Sequence, residues 1–209
     1  MAMVPHELTT PEGALRRLQP ISERLYRAWR AALLSARSVF WDKDGNELLP
    51  YEPWLFCHHA RTHAINNLVT ELSTVPGVDV DTKTIMSSVM VRTDDGLQLL
   101  FRKSDEGEVP VVGPSETRQR WCAQQLPGLE EELDELHLMA TWDVDPASHE
   151  LLPFVLSMPA HGGSTRDSMH MHWDIDLVEI PEQRIADLDK YRRKPKADTG
   201  ETGTGSSDQ

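Results

Sequence analysis

Met169-His170-Met171-His172-Trp173-Asp174-Ile175-Asp176-Leu177 alternates apolar and polar residues without a break. Successive side chains of an extended chain point to opposite faces, so five apolar residues fall on one side and His170, His172, Asp174 and Asp176 on the other. Two readings follow. In the first, this is an ordinary strand with a dry methionine–tryptophan face and a wet polar face. In the second it is a rack of metal ligands, because a His-x-His pair on a strand sets two imidazoles on one side about 7 Å apart at Cβ. That separation suits one divalent transition metal, to which Asp174 adds a hard oxygen. The spacing alone does not choose between the two.

Upstream, His137 to Asp143 and Glu150 to Met158 read as two further strands, so that with Ser168 to Leu177 they form a three-stranded meander. Turns are expected at Asp145-Pro146 and His161-Gly162-Gly163-Ser164. Before them, Thr84 to Arg92 and Leu97 to Arg102 flank Asp94-Asp95-Gly96, the signature of a β-hairpin. Pro114-Ser115-Glu116 opens a short helix through about Gln125. The N-terminal third is helical. Leu18, Ile21, Leu25, Trp29, Ala32, Leu33, Ala36 and Phe40 recur at helical spacing, with Pro20 fitting a first turn, and a second helix runs from about Trp54 to Ser73 until Val75-Pro76-Gly77 stops it. The order helix, helix, hairpin, helix, meander predicts an α+β fold with the N-terminal helices packed on one face of a mostly antiparallel sheet, the other face being wetter. Residues 1–13 read as a flexible lead-in, 14–190 as a single domain, and the polar Gly/Ser/Thr-rich 191–209 as a disordered tail.

At 100° per residue, Trp54, Cys57, His58, Arg61, Ile65, Leu68, Val69 and Leu72 make one stripe of the second helix, and His59 and His63 lie on the opposite side. That orientation turns the His59/His63 pair away from the strand histidines. It also places His58 and Arg61 amid apolar neighbours. A guanidinium there must reach the rim or meet a carboxylate or anionic ligand, so His58 and Arg61 are a candidate ligand or core pair.

The 209 residues carry a net charge of −13, which disfavours nonspecific nucleic-acid binding. The charge is unevenly spread. Arg16, Arg17, Arg24, Arg27, Arg30 and Arg37 crowd the first helix, while no Lys or Arg occurs between Arg120 and Arg166, a span that includes Glu130, Glu131 and Glu132. Such segregation offers two contact surfaces: the acidic triplet for a basic protein partner, and the helix face with Arg24 and Arg27 for an acidic partner or nucleic acid. No apolar run is long enough for a membrane span and the N-terminus lacks a signal-peptide pattern, so a cytoplasmic protein with no membrane partner is expected. Cys57 and Cys122, on separate predicted helices, read as reduced thiols.

Phosphate-binding glycine loops, a Gly-x-Ser-x-Gly elbow and His-Glu-x-x-His are all absent from the sequence. Ala60-Arg61-Thr62, Leu99-Leu100-Phe101-Arg102-Lys103, Leu126-Pro127-Gly128-Leu129 and the closing meander with Trp173 together resemble a group of uncharacterised bacterial and prophage proteins of mobile-element modules. The resemblance, over residues 15–178, implies a regulatory or interaction role and transfers no functional residues. The expectation is a non-enzymatic macromolecule-binding or regulatory protein, antitoxin-like or phage-related. The alternative is a metal-dependent hydrolase or nuclease built on His170, His172 and Asp174.

Overall fold

The computed structural model describes residues 9–82, 89–104, 121–122, 135–145, 148–161 and 170–177. Two helices precede a six-stranded mixed sheet: α1 (Pro11–Phe40), α2 (Pro53–Leu72), β1 (Val78–Asp81), β2 (Val89–Thr93), β3 (Leu97–Lys103), β4 (Leu136–Trp142), β5 (Val155–His161) and β6 (His170–Asp176). The fold is α+β, as expected. Of the third predicted helix, Trp121 and Cys122 are described and both have helical backbone. Residues 1–8 of the lead-in and the whole of the tail lie outside the described residues, as do the acidic triplet and the Gly162-Gly163-Ser164 turn.

The first helix starts nine residues before Pro20, inside the stretch read as lead-in. Thr10 caps it by accepting a hydrogen bond from the Gly13 amide at 3.0 Å, Pro11 follows with its fixed φ, and Glu12 faces the positive end of the helix. These start signals outrank Pro20, which sits exposed in the helix interior. Ala14, Leu15 and Leu18 before it and Ile21 and Leu25 after it are all buried, so core packing on both sides holds the helix through the missing N–H. A turn ends the segment: the Asp42 carboxylate accepts from the amides of Asp44 and Asn46, and Gly45 takes φ +83°.

The second helix is rotated by about 80° from its expected orientation. Its buried residues are Phe56, Ala60, Ala64, Leu68 and Leu72, whereas Trp54 is 69% exposed and Val69 41%. Alanines explain the difference. They carry little hydrophobic signal, yet at four-residue spacing they let α1 approach closely, and Asn67 beside them donates to the Ala28 carbonyl of α1 at 3.1 Å.

The strands lie in sequence order, β1-β2-β3-β4-β5-β6. Every pair is antiparallel except β3 and β4, which run parallel with Leu99 beside Leu138. A parallel pair needs a crossover, and within it Trp121 and Cys122 pack on Met90, Leu100 and Met139 on the sheet face away from α1 and α2. The expected wetter face is therefore covered at its centre, and its polar residues Gln98, Thr141 and Ser157 are buried too. β1, an additional strand, escaped the sequence reading because Val78-Asp79-Val80-Asp81 is short and follows the turn at Gly77 directly.

The core lies between the sheet and the two helices. Trp29 of α1, fully buried, sits 4.7 Å from the Trp142 ring, 5.4 Å from Phe101 and 6.1 Å from Phe154. Next to it, the Tyr26 hydroxyl donates to the Leu177 carbonyl at 2.6 Å and accepts from the Phe154 amide at 3.0 Å. At the far end of the helix Arg17 pairs with Asp95 and Asp94 of the β2–β3 turn.

The unbroken alternation expected of β6 fails at one place. Met158 pairs with Trp173 but Pro159 pairs with Met171, so His172 is an extra residue, and a compensating extra residue follows in β5 before His161. Pro159 has no N–H for the ladder, which is why the pairing slips there. Trp173, Ile175 and Leu177 face the main core as expected. Met171, in contrast, packs on the second face with Met90, Leu100 and Met139.

The Trp29 Nε1 hydrogen is buried without a hydrogen-bond partner, so the residue acts through shape and area. Trp29→Phe is expected to cost less than about 1.5 kcal/mol in urea unfolding, against about 3–5 kcal/mol for Trp29→Ala. Equal losses would show that the indole N–H matters more than ring packing.

Candidate functional site

α1 carries six arginines and two glutamates, and its arginines divide into two sets along the helix. Arg24 donates to the Glu71 carbonyl at 2.6 Å and to Thr74 Oγ1 at 2.8 Å, and Arg27 pairs with the Glu71 carboxylate at 2.9 Å and more loosely with Glu23. The two arginines singled out as a contact surface thus tie α1 to the end of α2. Arg30 and Arg37, about one and three turns beyond Arg27, do something else. With Leu33 and Leu34 they form one wall of a groove of about 290 Å³, whose other wall is His149, Glu150 and Leu151 from the segment between β4 and β5.

His149 sets the shape of that second wall. Its φ of +56° is the one positive value among described non-glycine residues, a left-handed conformation costly for a side chain with Cβ. The turn around it explains why the conformation holds. The Asp145 amide donates to the Glu150 carbonyl at 2.9 Å, the His149 amide donates to the Asp145 carbonyl at 2.8 Å, and the Asp145 carboxylate accepts from the Ser148 amide. The ring then stacks on Trp41 at 4.7 Å and lies near Tyr51 and Phe56, with its Nδ1 buried and lacking a hydrogen-bond partner.

Below the turn, a polar network anchors the ends of the parallel strands. Asp143 follows β4, accepts from Lys103 Nζ at 3.0 Å, from Ser104 Oγ and from the Val144 amide, and stands at the rim of the same loop. Burial alone would raise the Asp143 carboxyl, but the hydrogen bonds from Ser104, Lys103 and Val144 outweigh it and hold the group below the ordinary carboxylate range. Cys57, half-buried nearby, is pushed up by burial despite Lys103 and Arg61, and burial raises Cys122 to about 11, so neither thiol is activated at neutral pH.

Several large apolar side chains on α1, the α1–α2 connection, the start of α2 and the β4–β5 loop are exposed. Leu34 is 66% exposed, Leu48 56%, Leu49 48%, Trp54 69% and Leu152 40%. The amides of Leu48 and Leu49 bond back to the Phe40 carbonyl, Tyr51 packs against Phe40 and Trp41, and the α1–α2 connection meets the β4–β5 loop where His149 touches Trp41 and Tyr51.

The other candidates lie apart from it. Glu130, Glu131 and Glu132 fall outside the described residues. His58 and Arg61 bond to each other, Nδ1 to Nη2 at 3.0 Å, but His58 is exposed, so they form a surface pair and not a core pair. In β6, His172 is exposed at the bulge while Asp174 stands opposite Ser157 on the second face; the side chain of His170 is outside the described set. The His59 and His63 rings stack at 6.4 Å on α2, which packs on β1 and β2, about 19 Å across the sheet from β6 at normal strand spacing. Among the described residues no three His, Cys, Asp or Glu side chains are grouped to hold a metal, and no helix is long and apolar enough to cross a membrane. Sequence reasoning missed His149, Arg30 and Arg37 as a set. The legible signal was Arg30-Leu34-Arg37, which repeats at i, i+4, i+7 on the exposed side of an otherwise apolar helix segment.

A depressed Asp143 carboxyl stabilises the folded chain above the unfolded value of about 3.9, and the contribution disappears as pH falls through the lower folded value. Asp143→Asn is expected to lose about 1–2 kcal/mol at neutral pH, and the gap from the parent should close as pH falls below the ordinary carboxylate range. Denaturant curves across that range check this, and a gap that widens on acidification would refute it.

No family model matches the chain, and no curated protein or solved structure matches it, so a functional reading rests on the chemistry of the groove and its surroundings.

Proposed function

We propose that this chain is a non-enzymatic protein that binds another macromolecule, a regulatory component of the kind carried in mobile-element modules, through the end of the molecule where α1 stops and α2 begins. One observation carries the reading. Leu33, Leu34 and Leu151 line a groove with Arg30, Arg37, His149 and Glu150, and Leu34 is 66% exposed there; an apolar surface rimmed by polar residues is how contact sites differ from ordinary protein exterior.

A protein partner fits better than nucleic acid. The net charge is −13, and Arg24 and Arg27, the basic residues nearest the middle of the helix, are engaged by α2 and its C-terminal turn. Leu33, Leu34 and Leu151 contribute to the groove and Glu150 stands in it, a lining that favours side-chain burial over a phosphate backbone.

The test is co-purification from the native host with the double variant Leu34→Asp/Trp54→Ala. Both residues are exposed, so folding should be intact by circular dichroism. A partner present in near-stoichiometric amount with the parent and lost from the variant is the expected result. A partner retained at the same level would place the contact elsewhere and overturn the reading.

A further inference from the structure

We infer that His59 and His63, on the outer side of α2, form a two-imidazole chelate for a borderline divalent transition metal of the Zn²⁺, Ni²⁺ and Cu²⁺ class. The site is separate from the binding face proposed above and from the histidines of β6.

Helical spacing supplies the geometry. Side chains four residues apart lie one above the other, with Cβ atoms about 5–6 Å apart, so both imidazoles leave the helix on the same side. Their ring centres are 6.4 Å apart and their planes within 21° of parallel. Two nitrogens bound to one ion at about 2.1 Å stand about 3 Å from each other. Tipping the rings toward each other about their side-chain bonds provides that approach. Both histidines are only partly buried, so neither ring is locked in the core.

The surroundings leave the pair to a ligand. Of the other described histidines, His58 meets Arg61, His137 meets the Trp121 carbonyl and His149 stacks on Trp41. The contact described for His59 and His63 is each other. Thr62 and Thr70, on the same side of α2, turn their hydroxyls back to the carbonyls of His58 and Asn66. Charge favours a cation here. Arg61 is the sole Lys or Arg of α2, and it points about 200° around the helix from either histidine. On α1, which runs antiparallel with Ala28 beside Asn67 and Arg24 beside the Glu71 carbonyl, the stretch alongside His63 is Ala31 to Ser35, all uncharged. The net charge of −13 draws cations toward the whole surface. Imidazole nitrogen then selects among them, since it suits zinc, nickel and copper and is a poor ligand for magnesium or calcium. Two protein ligands are fewer than the three or four of catalytic and structural zinc sites, so the ion keeps water on its remaining positions and stays exchangeable.

Calorimetric titration of the full chain with Ni²⁺ tests the inference. Binding is expected near neutral pH and should be lost at about pH 5, where imidazoles take up protons. His63→Ala should weaken it about tenfold or more, because the second imidazole acts at high effective concentration. The double variant His63→Ala/Asn66→His keeps the histidine count and the helix face but sets the pair two turns, about 10 Å, apart, and should not recover the loss. Circular dichroism confirms that both variants are folded. Diethyl pyrocarbonate labelling read by mass spectrometry locates the site: Ni²⁺ should protect His59 and His63 while the exposed neighbour His58 stays reactive. The inference is overturned if Ni²⁺ does not bind, if the double variant binds as tightly as the parent, if millimolar Mg²⁺ displaces the ion, or if the protected histidines are others.

Discussion

The placement of Trp29 is the constraint on which the rest of this structure depends. Its indole has no polar contact, so what fixes it is the fit against Phe101, Trp142 and Phe154, three rings supplied by β3, β4 and the approach to β5. Packing of this kind has a narrow optimum in both rotation and translation. Tyr26 then removes the remaining freedom, because one hydroxyl both donates to the Leu177 carbonyl and accepts from the Phe154 amide. Once α1 is pinned at that point, the side of the helix that faces solvent is decided. Arg30, Leu34 and Arg37 occupy that side, one turn or two beyond the pin, and the segment after β4 has a fixed wall to close against.

Three arginines of α1 tie it to neighbouring elements. Arg17 meets the β2–β3 turn, Arg24 and Arg27 meet the end of α2, and each of these pairs joins elements that are distant in sequence. Exposed ion pairs add little stability individually, but here they repeat along one helix and orient it relative to its neighbours. The turn at His149 supplies the opposite wall at the cost of a left-handed backbone, and the aromatic stack on Trp41 together with the hydrogen bonds of Asp145 keeps it there. Strain of this sort persists where surrounding structure over-determines it.

Much of this was legible in the residues. The apolar periodicity from Leu18 to Phe40 located α1, the Asp94-Asp95-Gly96 turn located the hairpin, and the alternation up to Leu177 located β6 and the side of it that faces the core. The failures have physical causes. Pro20 suggested a helix start because a lone proline usually marks one, yet burial on both sides outweighed it. The stripe of α2 was assigned to Trp54, Cys57, His58, Arg61, Ile65, Leu68, Val69 and Leu72, although Phe56 and the alanines at 60 and 64 join Leu68 and Leu72 on the buried face. Pro159 sits in the neighbouring strand, so the slip it causes in β6 cannot be seen within the alternating segment itself. The groove depends on a contact between α1 and a turn more than a hundred residues later, and no local pattern encodes that pairing.

The two rims of the sheet bear on how molecules of this protein meet each other. β1 offers Asp79 to solvent, and β6 carries Asp174 and Asp176 together with an extra residue at His172 that interrupts its regular spacing. A second chain trying to extend the sheet at either rim would bring carboxylates against carboxylates and, along β6, meet amides out of step with its own. Crowded copies are thereby discouraged from joining strand to strand, so self-association into extended β-structure is opposed at the same two places where an open sheet is most exposed to it.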